Sequence, residues 1–301
     1  MQTFVANGVV LINLHEVIGD SKANRTSPGG GLSVSGVTAS TAVDLQKRVI
    51  GGRNCGPTER LYHVEVRDYA VDIGFGLCGG SLIGDRWILT AAHCWDQTRI
   101  MRAVLGIHPG DKATLEEITP HFFFDDQGRL HDIMLLKLTN PTKIKPVPLP
   151  DCDRNPLNID DRVEMAGYAS TTMGPNNIRQ PGRAAVLQCA NITVVNCSRL
   201  RECLQTNYPG SYAYRQYQDW HCYQSPGVDT SPGDSGGGVM FNDMIYGVHV
   251  NTGNHTHACV EAAGFMDVCS YMGWIEKTTG IARPEPERKS RFWDCLNCFK
   301  G

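Results

Sequence analysis

SLIGDRWILTAAHC, residues 81–94, is a short apolar run that ends on a histidine beside a cysteine. Short runs of this kind recur along the chain: LYHVEV (61–66), IMLLKL (133–138), AAVLQCA (184–190) and MIYGVHV (244–250). Turns separate them from Val49 to residue 268. Strand-length apolar or alternating segments, repeated between turns, favour an all-β barrel or sandwich. CSYMGWIEKTTG (269–280) differs: Tyr271, Met272, Trp274 and Ile275 precede a glycine, which suits a short closing helix.

The flanks read otherwise. Residues 15–48 are rich in Gly, Ser, Thr and Ala, and SPGGGLSVSG (27–36) reads as flexible. This stretch closes on the dibasic LQKR (45–48), followed by VIGG (49–52). ARPEPERKSRFWDCLNCFKG (282–301) is Pro-rich and charged and reads as a tail. The expected organisation is therefore a leader at 1–48, a domain at 49–281 and a Cys-containing tail at 282–301.

Composition narrows the function classes. The 301 residues carry a net charge of −3, which gives no footprint for nucleic acid. No apolar stretch approaches the roughly 18 residues of a membrane span. The 12 cysteines are dispersed over 55–298 and do not form paired zinc spacing. Dispersed cysteines suggest disulfides and an oxidising compartment. Sequons at Asn24, Asn191, Asn196 and Asn254 fit a secreted glycoprotein. FVANGVVLINL (4–14) makes a poor signal peptide, because Asn7, Gly8 and Asn13 interrupt it and no positive charge precedes it.

SPGDSGGGV (231–239) raises the question of chemistry. Gly and Ser cluster in ordinary turns. The functional reading makes Ser235 a nucleophile, with the N–H groups of Gly233 and Ser235 converging on an oxyanion. A nucleophilic serine needs a base, and the base needs a group to orient it. LTAAHC (89–94) offers His93 after an apolar run, and HDIMLLKL (131–138) offers Asp132 just before another. Alone, each is more often structural: a core histidine, a turn or cap aspartate.

Taken together, LTAAHC, HDIMLLKL, GDSGG and VIGG after a basic residue resemble the trypsin–chymotrypsin family of serine endopeptidases. LQCANITVV and YPG (208–210) resemble its trypsin and tissue-kallikrein branch. The likeness runs from about Val49 to Thr279. It implies two six-stranded antiparallel Greek-key barrels with a short C-terminal helix and the site between the barrels. It further implies Ser235 as nucleophile, His93 as general base and then acid, Asp132 as the carboxylate that fixes the imidazole, and Gly233 with Ser235 as the oxyanion hole.

The resemblance also implies activation by a cut between Arg48 and Val49, whose new amine would pair with Asp234. The expected product is a secreted zymogen whose partners are a protein or peptide substrate, an activating protease and protein inhibitors. No cofactor, nucleic acid or membrane is expected. GIHPGDKATLEE (106–117) does not match the family's calcium loop, so no metal is expected either. The implied disulfides are Cys78–Cys94, Cys55–Cys189, Cys152–Cys269 and Cys203–Cys222. Val163 and Phe241 stand where relatives carry a further pair. Ser231 replaces a pocket cysteine whose usual partner region still holds Cys259. Cys197, Cys259, Cys295 and Cys298 stay unassigned, and three pairings remain open.

Asp229, six residues before Ser235, implies cleavage after Arg or Lys, and Gly264 matches a glycine of the pocket wall. Thr230 flanks the pocket, and Thr252 or Gly253 takes the place of the family's rim glycine. Asn251 stands in for the usual tryptophan. Arg129 is expected to line the adjoining subsite. These departures imply a narrow trypsin-like specificity. The alternatives are a non-tryptic primary preference, or a non-catalytic binding protein on the same scaffold.

Overall fold

The computed structural model describes residues 3–6, 9–12, 49–68, 78–110 and 113–284. Arg48, Asn24, the 27–36 stretch, Cys295 and Cys298 fall outside the described residues. The chain divides into two compact units, Met1–Gln46 and Lys47–Gly301. In the first, β1 (Thr3–Ala6) pairs antiparallel with β2 (Val9–Ile12).

The second unit opens with β3 (Arg53–Asn54) and then builds a closed barrel. Its strands are β4 (His63–Asp68), β5 (Cys78–Leu82), β6 (Trp87–Thr90), β7 (Met101–Leu105), β8 (Thr114–Phe124) and β9 (Leu130–Leu138). The ring order is β4-β5-β6-β9-β8-β7. Three strands run as a meander, the fourth returns to the first, and the sixth closes on the third. That is a Greek key.

The second barrel repeats this order with β10 (Arg162–Ala169), β11 (Arg183–Val195), β12 (Trp220–Tyr223), β13 (Gly238–Phe241), β14 (Met244–Asn251) and β15 (Ala263–Asp267). They run β10-β13-β14-β15-β12-β11, and β10 also pairs with β11 and closes the ring, with β3 added beyond β11. The all-β expectation of two six-stranded antiparallel barrels therefore holds. All five quoted apolar runs fall on strands. β9 shows why: seven of its first eight residues are buried, from Leu130 to Leu136, because barrel interior covers one face and loops or the neighbouring barrel cover the other.

The closing helix α3 (Val268–Thr279) is also where the sequence puts it. The Asp267 carboxylate caps it by accepting from the Cys269 N–H, and Gly280 ends it in the left-handed conformation at φ 73°. Two helices between β11 and β12 were not expected: α1 (Ser198–Asn207) and α2 (Pro209–Arg215). Tyr208 breaks the run, and Pro209 starts α2 where its missing N–H costs nothing.

Cys55–Cys189, Cys78–Cys94 and Cys152–Cys269 form as expected. The fourth expectation is corrected: Cys222 bonds to Cys197, and Cys203 is a free thiol. Strand register explains the exchange. Val195 faces Cys222 across β11 and β12, so Cys197, two residues on, reaches it with Cα atoms 5.2 Å apart. Cys203 lies further along α1. Cys259 is the other free thiol among the described residues.

Candidate active site

β6 delivers His93. The strand ends at Thr90, and the chain turns through the short 3-10 helix Ala92–Cys94. The Cys78–Cys94 disulfide ties this turn back to β5. β9 runs beside β6, with Thr90 opposite Met134, so Asp132 on β9 comes level with His93. The His93 ring Nδ1 lies 2.9 Å from both carboxylate oxygens of Asp132, and the His93 backbone N–H donates to Oδ1 at 3.0 Å. The Asp132 N–H in turn donates to the Gln218 side-chain oxygen at 2.7 Å.

Asp132 is buried, and burial alone pushes its carboxyl up. The His93 ring and backbone N–H, with the Arg215 charge nearby, outweigh this and hold it below the ordinary range. A carboxylate in that state fixes one imidazole tautomer and leaves the other ring nitrogen as a base.

The Ser235 turn comes from the second barrel and is sewn to the first. The Gly79 N–H on β5 donates to the Ser235 carbonyl at 2.7 Å. Gly79 neighbours Cys78, whose sulfur lies within 4.8 Å of a His93 ring nitrogen. Gly236 has φ 81°, and a Cβ there would collide with the Thr90 hydroxyl and the Gly79 carbonyl, so glycine is required. Gly236 and His249 exchange contacts across the turn at 2.8 Å (Gly236 N–H to His249 O), and the Asp234 N–H closes onto Ser231 O at 3.0 Å. The N–H groups of Gly233 and Ser235 have no acceptor among the described residues, which is what an oxyanion hole needs. Cys78 and Cys94 are bonded to each other, so beside His93 they offer no thiolate to a metal.

Asp234 is buried between two backbone donors. Its oxygens accept from Ser231 N–H at 2.8 Å and Ala169 N–H at 3.1 Å. It makes no ion pair among the described residues, and burial pushes its carboxyl up to about 6. Val49 is 1% exposed, and it holds φ 38°, a left-handed conformation that a β-branched residue rarely adopts. The Asp229 N–H donates to Ile50 O at 2.9 Å, so the segment just after Arg48 forms an antiparallel bridge with the loop at Asp229.

The niche at Asp229, expected to be the primary pocket, holds an unexpected occupant. Arg179 sits on a tight hairpin in which Gly174 N–H donates to Ile178 O at 2.8 Å and Gln180 N–H to Thr172 O at 3.1 Å. Its guanidinium runs to the Asp229 carboxylate, with Nη2 2.5 Å from Oδ2. Nη1 also donates to the Thr230 carbonyl, Nη2 to the Thr252 carbonyl at 3.1 Å, and Nε to the Asn254 carbonyl at 2.9 Å. Both partners are nearly inaccessible: the side chains are 6% and 4% exposed. Asp229 also accepts from Thr230 N–H at 2.8 Å and Cys259 N–H at 2.7 Å. Burial pushes its carboxyl up, and Arg179 with these two N–H groups pulls it back.

Asp229 and the carbonyls of Thr230 and Thr252 thus meet around Arg179, and Gly264 stands opposite Asn251 across β14 and β15. A Cβ on Gly264 would touch the Trp220 ring and Asn251. Thr252 supplies a carbonyl to the Arg179 guanidinium. Gly253 turns the rim with φ 71°, and a Cβ there would come within 2.7 Å of two carbonyl oxygens. Arg129 pairs with Asp125 at 2.7 Å and lies over the Tyr217 ring at 4.2 Å.

Comparison with known proteins fits this geometry. Residues 49–275 match the family profile described as Trypsin. The chain belongs to the trypsin family and is a serine endopeptidase. The family member human kallikrein-15 is 28% identical over 272 residues, covering 82% of this chain and 97% of that protein. The thrombin-like enzyme CPI-enzyme 2 of Gloydius ussuriensis is 34% identical, covering 76% and 86% respectively. The mouse serine protease neuropsin superposes with a TM-score of 0.59 at 27% identity, covering 75% of this chain and 98% of its own.

Within this trypsin-family frame, sequence reasoning missed Arg179. An arginine in NNIRQPG (176–182) reads as a solvated loop charge. The available signal was indirect: a buried Asp229 demands a cationic partner from somewhere. It also missed Tyr223 and His249, buried behind the Ser235 turn, with the Tyr223 hydroxyl 2.7 Å from His249 Nδ1.

Proposed function

We propose that this endopeptidase cleaves peptide bonds after Arg or Lys, as a secreted enzyme made in zymogen form and activated by a cut between Arg48 and Val49. The observation that carries the specificity is the niche around Asp229. It holds a guanidinium with one carboxylate and three carbonyls, four acceptors for four of its five N–H groups, which is the chemistry a substrate arginine brings.

In this reading Ser235 Oγ attacks the carbonyl of the bond to be cut. His93 takes the hydroxyl proton and later gives it to the leaving amine, while Asp132 stabilises the imidazolium between these steps. The N–H groups of Gly233 and Ser235 hold the oxyanion. Water then attacks the acyl-enzyme by the same route in reverse.

Activation is supported by two buried features. Asp234 makes no ion pair among the described residues, and a freed Val49 amine would supply one. Val49 belongs to the same apolar cluster as Tyr223, and Tyr223 lies within reach of the Asp234 charge. A cut after Arg48 also releases the backbone that holds Val49 at φ 38°. The four disulfides and the exposed sequon residues Asn191 and Asn196 support an extracellular, glycosylated product.

The test compares a chain beginning at Val49 with its Ser235→Ala variant and with the intact chain. Amide substrates ending in Arg, Lys, Phe or Ala are assayed. Turnover of Arg and Lys amides by the first chain alone is the expected result. Turnover restricted to Phe or Ala amides would reject the pocket assignment.

A further inference from the structure

Resting on that reading, we propose that Arg179 is a specificity-determining residue of this enzyme: it occupies the primary pocket as a stand-in for the substrate's cationic side chain, so a substrate Arg or Lys binds only when Arg179 withdraws. Three features carry this. The first is complementarity. The guanidinium uses one carboxylate oxygen and three carbonyls, so the positively charged end of a substrate side chain competes with Arg179 for the same acceptors.

The second is support from behind. The Arg179 hairpin is not a loose loop. It docks on the 254–259 segment, with Arg179 N–H donating to Thr256 O at 2.9 Å and Ala258 N–H to Asn177 O at 2.9 Å. Ile178 and His257 form a further antiparallel bridge. The Asn254 side chain fixes that segment in turn, accepting from Thr256 N–H at 3.0 Å and His257 N–H at 2.9 Å. Arg179 is therefore aimed by backbone on both sides.

The third is the state of the pocket walls. The Thr230 and Thr252 hydroxyls are buried without a hydrogen-bond partner among the described residues. Arg179 satisfies the carbonyls of these residues but not their side chains. A buried hydroxyl left unpaired costs free energy, and a ligand reaching Thr230 or Thr252 would recover it. The pocket is thus shaped for a cation, filled by one from the same chain, and incompletely satisfied by it.

Withdrawal costs the substrate binding energy, because apparent affinity scales with the fraction of molecules whose pocket is open. The experiment uses the chain beginning at Val49, with and without Arg179→Ala, and benzamidine as an amidinium probe. The expected result is that Arg179→Ala tightens benzamidine binding, by calorimetry, at least about tenfold and raises kcat/KM on an Arg amide through a lower KM. Equal benzamidine affinity in the two folded proteins would overturn the proposal.

Should the variant not fold, nitrogen NMR of the parent protein decides instead. The Arg179 Nε–H signal is expected to be shifted and protected in the free enzyme and to move toward the free-arginine position as benzamidine saturates. A free-arginine signal before any benzamidine is added would overturn the proposal. Failure of Ser235 to react with a fluorophosphonate would count against the endopeptidase chemistry and leave the benzamidine result to judge Arg179.

Discussion

Asp132 and Asp234 are both buried carboxylates, yet their surroundings drive them apart. Asp132 faces the His93 ring and backbone N–H and is held below the ordinary range. Replacing it by Asn keeps the shape but removes the acceptor that sets the imidazole tautomer. Asp132→Asn is expected to lower kcat by about 10⁴-fold, the cost this family shows for that change, with the fold intact by circular dichroism. Asp234 has only backbone donors, and its folded pKa of about 6 stands above the unfolded value of 3.8. The unfolded intact chain therefore loses this proton first, and the folded state loses stability as pH rises from about 4 to about 6. The span corresponds to roughly 3 kcal/mol. The stability of the intact chain relative to its Asp234→Asn variant, from urea midpoints at each pH, should show that decline. On the proposed activation the freed Val49 amine supplies a counter-charge, so in the chain beginning at Val49 the same substitution is expected to destabilise and inactivate.

Among elements, β11 and α1 decide a disulfide that motif matching put elsewhere. Register brings Cys222 opposite Val195 and so beside Cys197. Cys222→Ser is expected to cost about 2–4 kcal/mol in chemical unfolding, whereas Cys203→Ser leaves stability nearly unchanged. Peptide mapping that found Cys203 bonded to Cys222 would reverse this. The rim turn gives a second check. Gly253 sits at φ 71°, facing the Glu261 and Ala262 carbonyls. Gly253→Ala should destabilise by about 1–3 kcal/mol and loosen benzamidine binding, because the turn carries the Thr252 carbonyl.

What the sequence reveals follows from where each constraint is local. Strand runs such as IMLLKL are legible because a doubly covered strand must be apolar along its length. The His93–Asp132 pair and the Ser235 turn are legible because each residue sits in a short fixed context. Arg179 was not legible, since its partner Asp229 lies 50 residues away and nothing in NNIRQPG marks the charge as buried. The helices α1 and α2 were missed because polar residues outnumber apolar ones in α1, where only Leu200 and Leu204 are buried, and α2 buries none of its residues.

Across the whole molecule, acid should unfold the protein. Burial holds His63 and His249 at about 3, well below the unfolded value of 6.5. The unfolded chain then takes up protons first, so stability present above about 6.5 is lost as pH falls toward 3. Two such histidines outweigh the opposite contribution of Asp234, by several kcal/mol as an order of magnitude. Thermal midpoints should fall steadily below pH 6, less so in His249→Gln.

The most direct test of the central claim is mass spectrometry of the folded chain beginning at Val49 after exposure to a fluorophosphonate. The reagent needs an activated serine and no particular primary pocket. A single adduct on Ser235, lost on His93→Ala, is the predicted result. An unmodified Ser235, or labelling that persists without His93, would contradict the assignment of these residues as one catalytic unit.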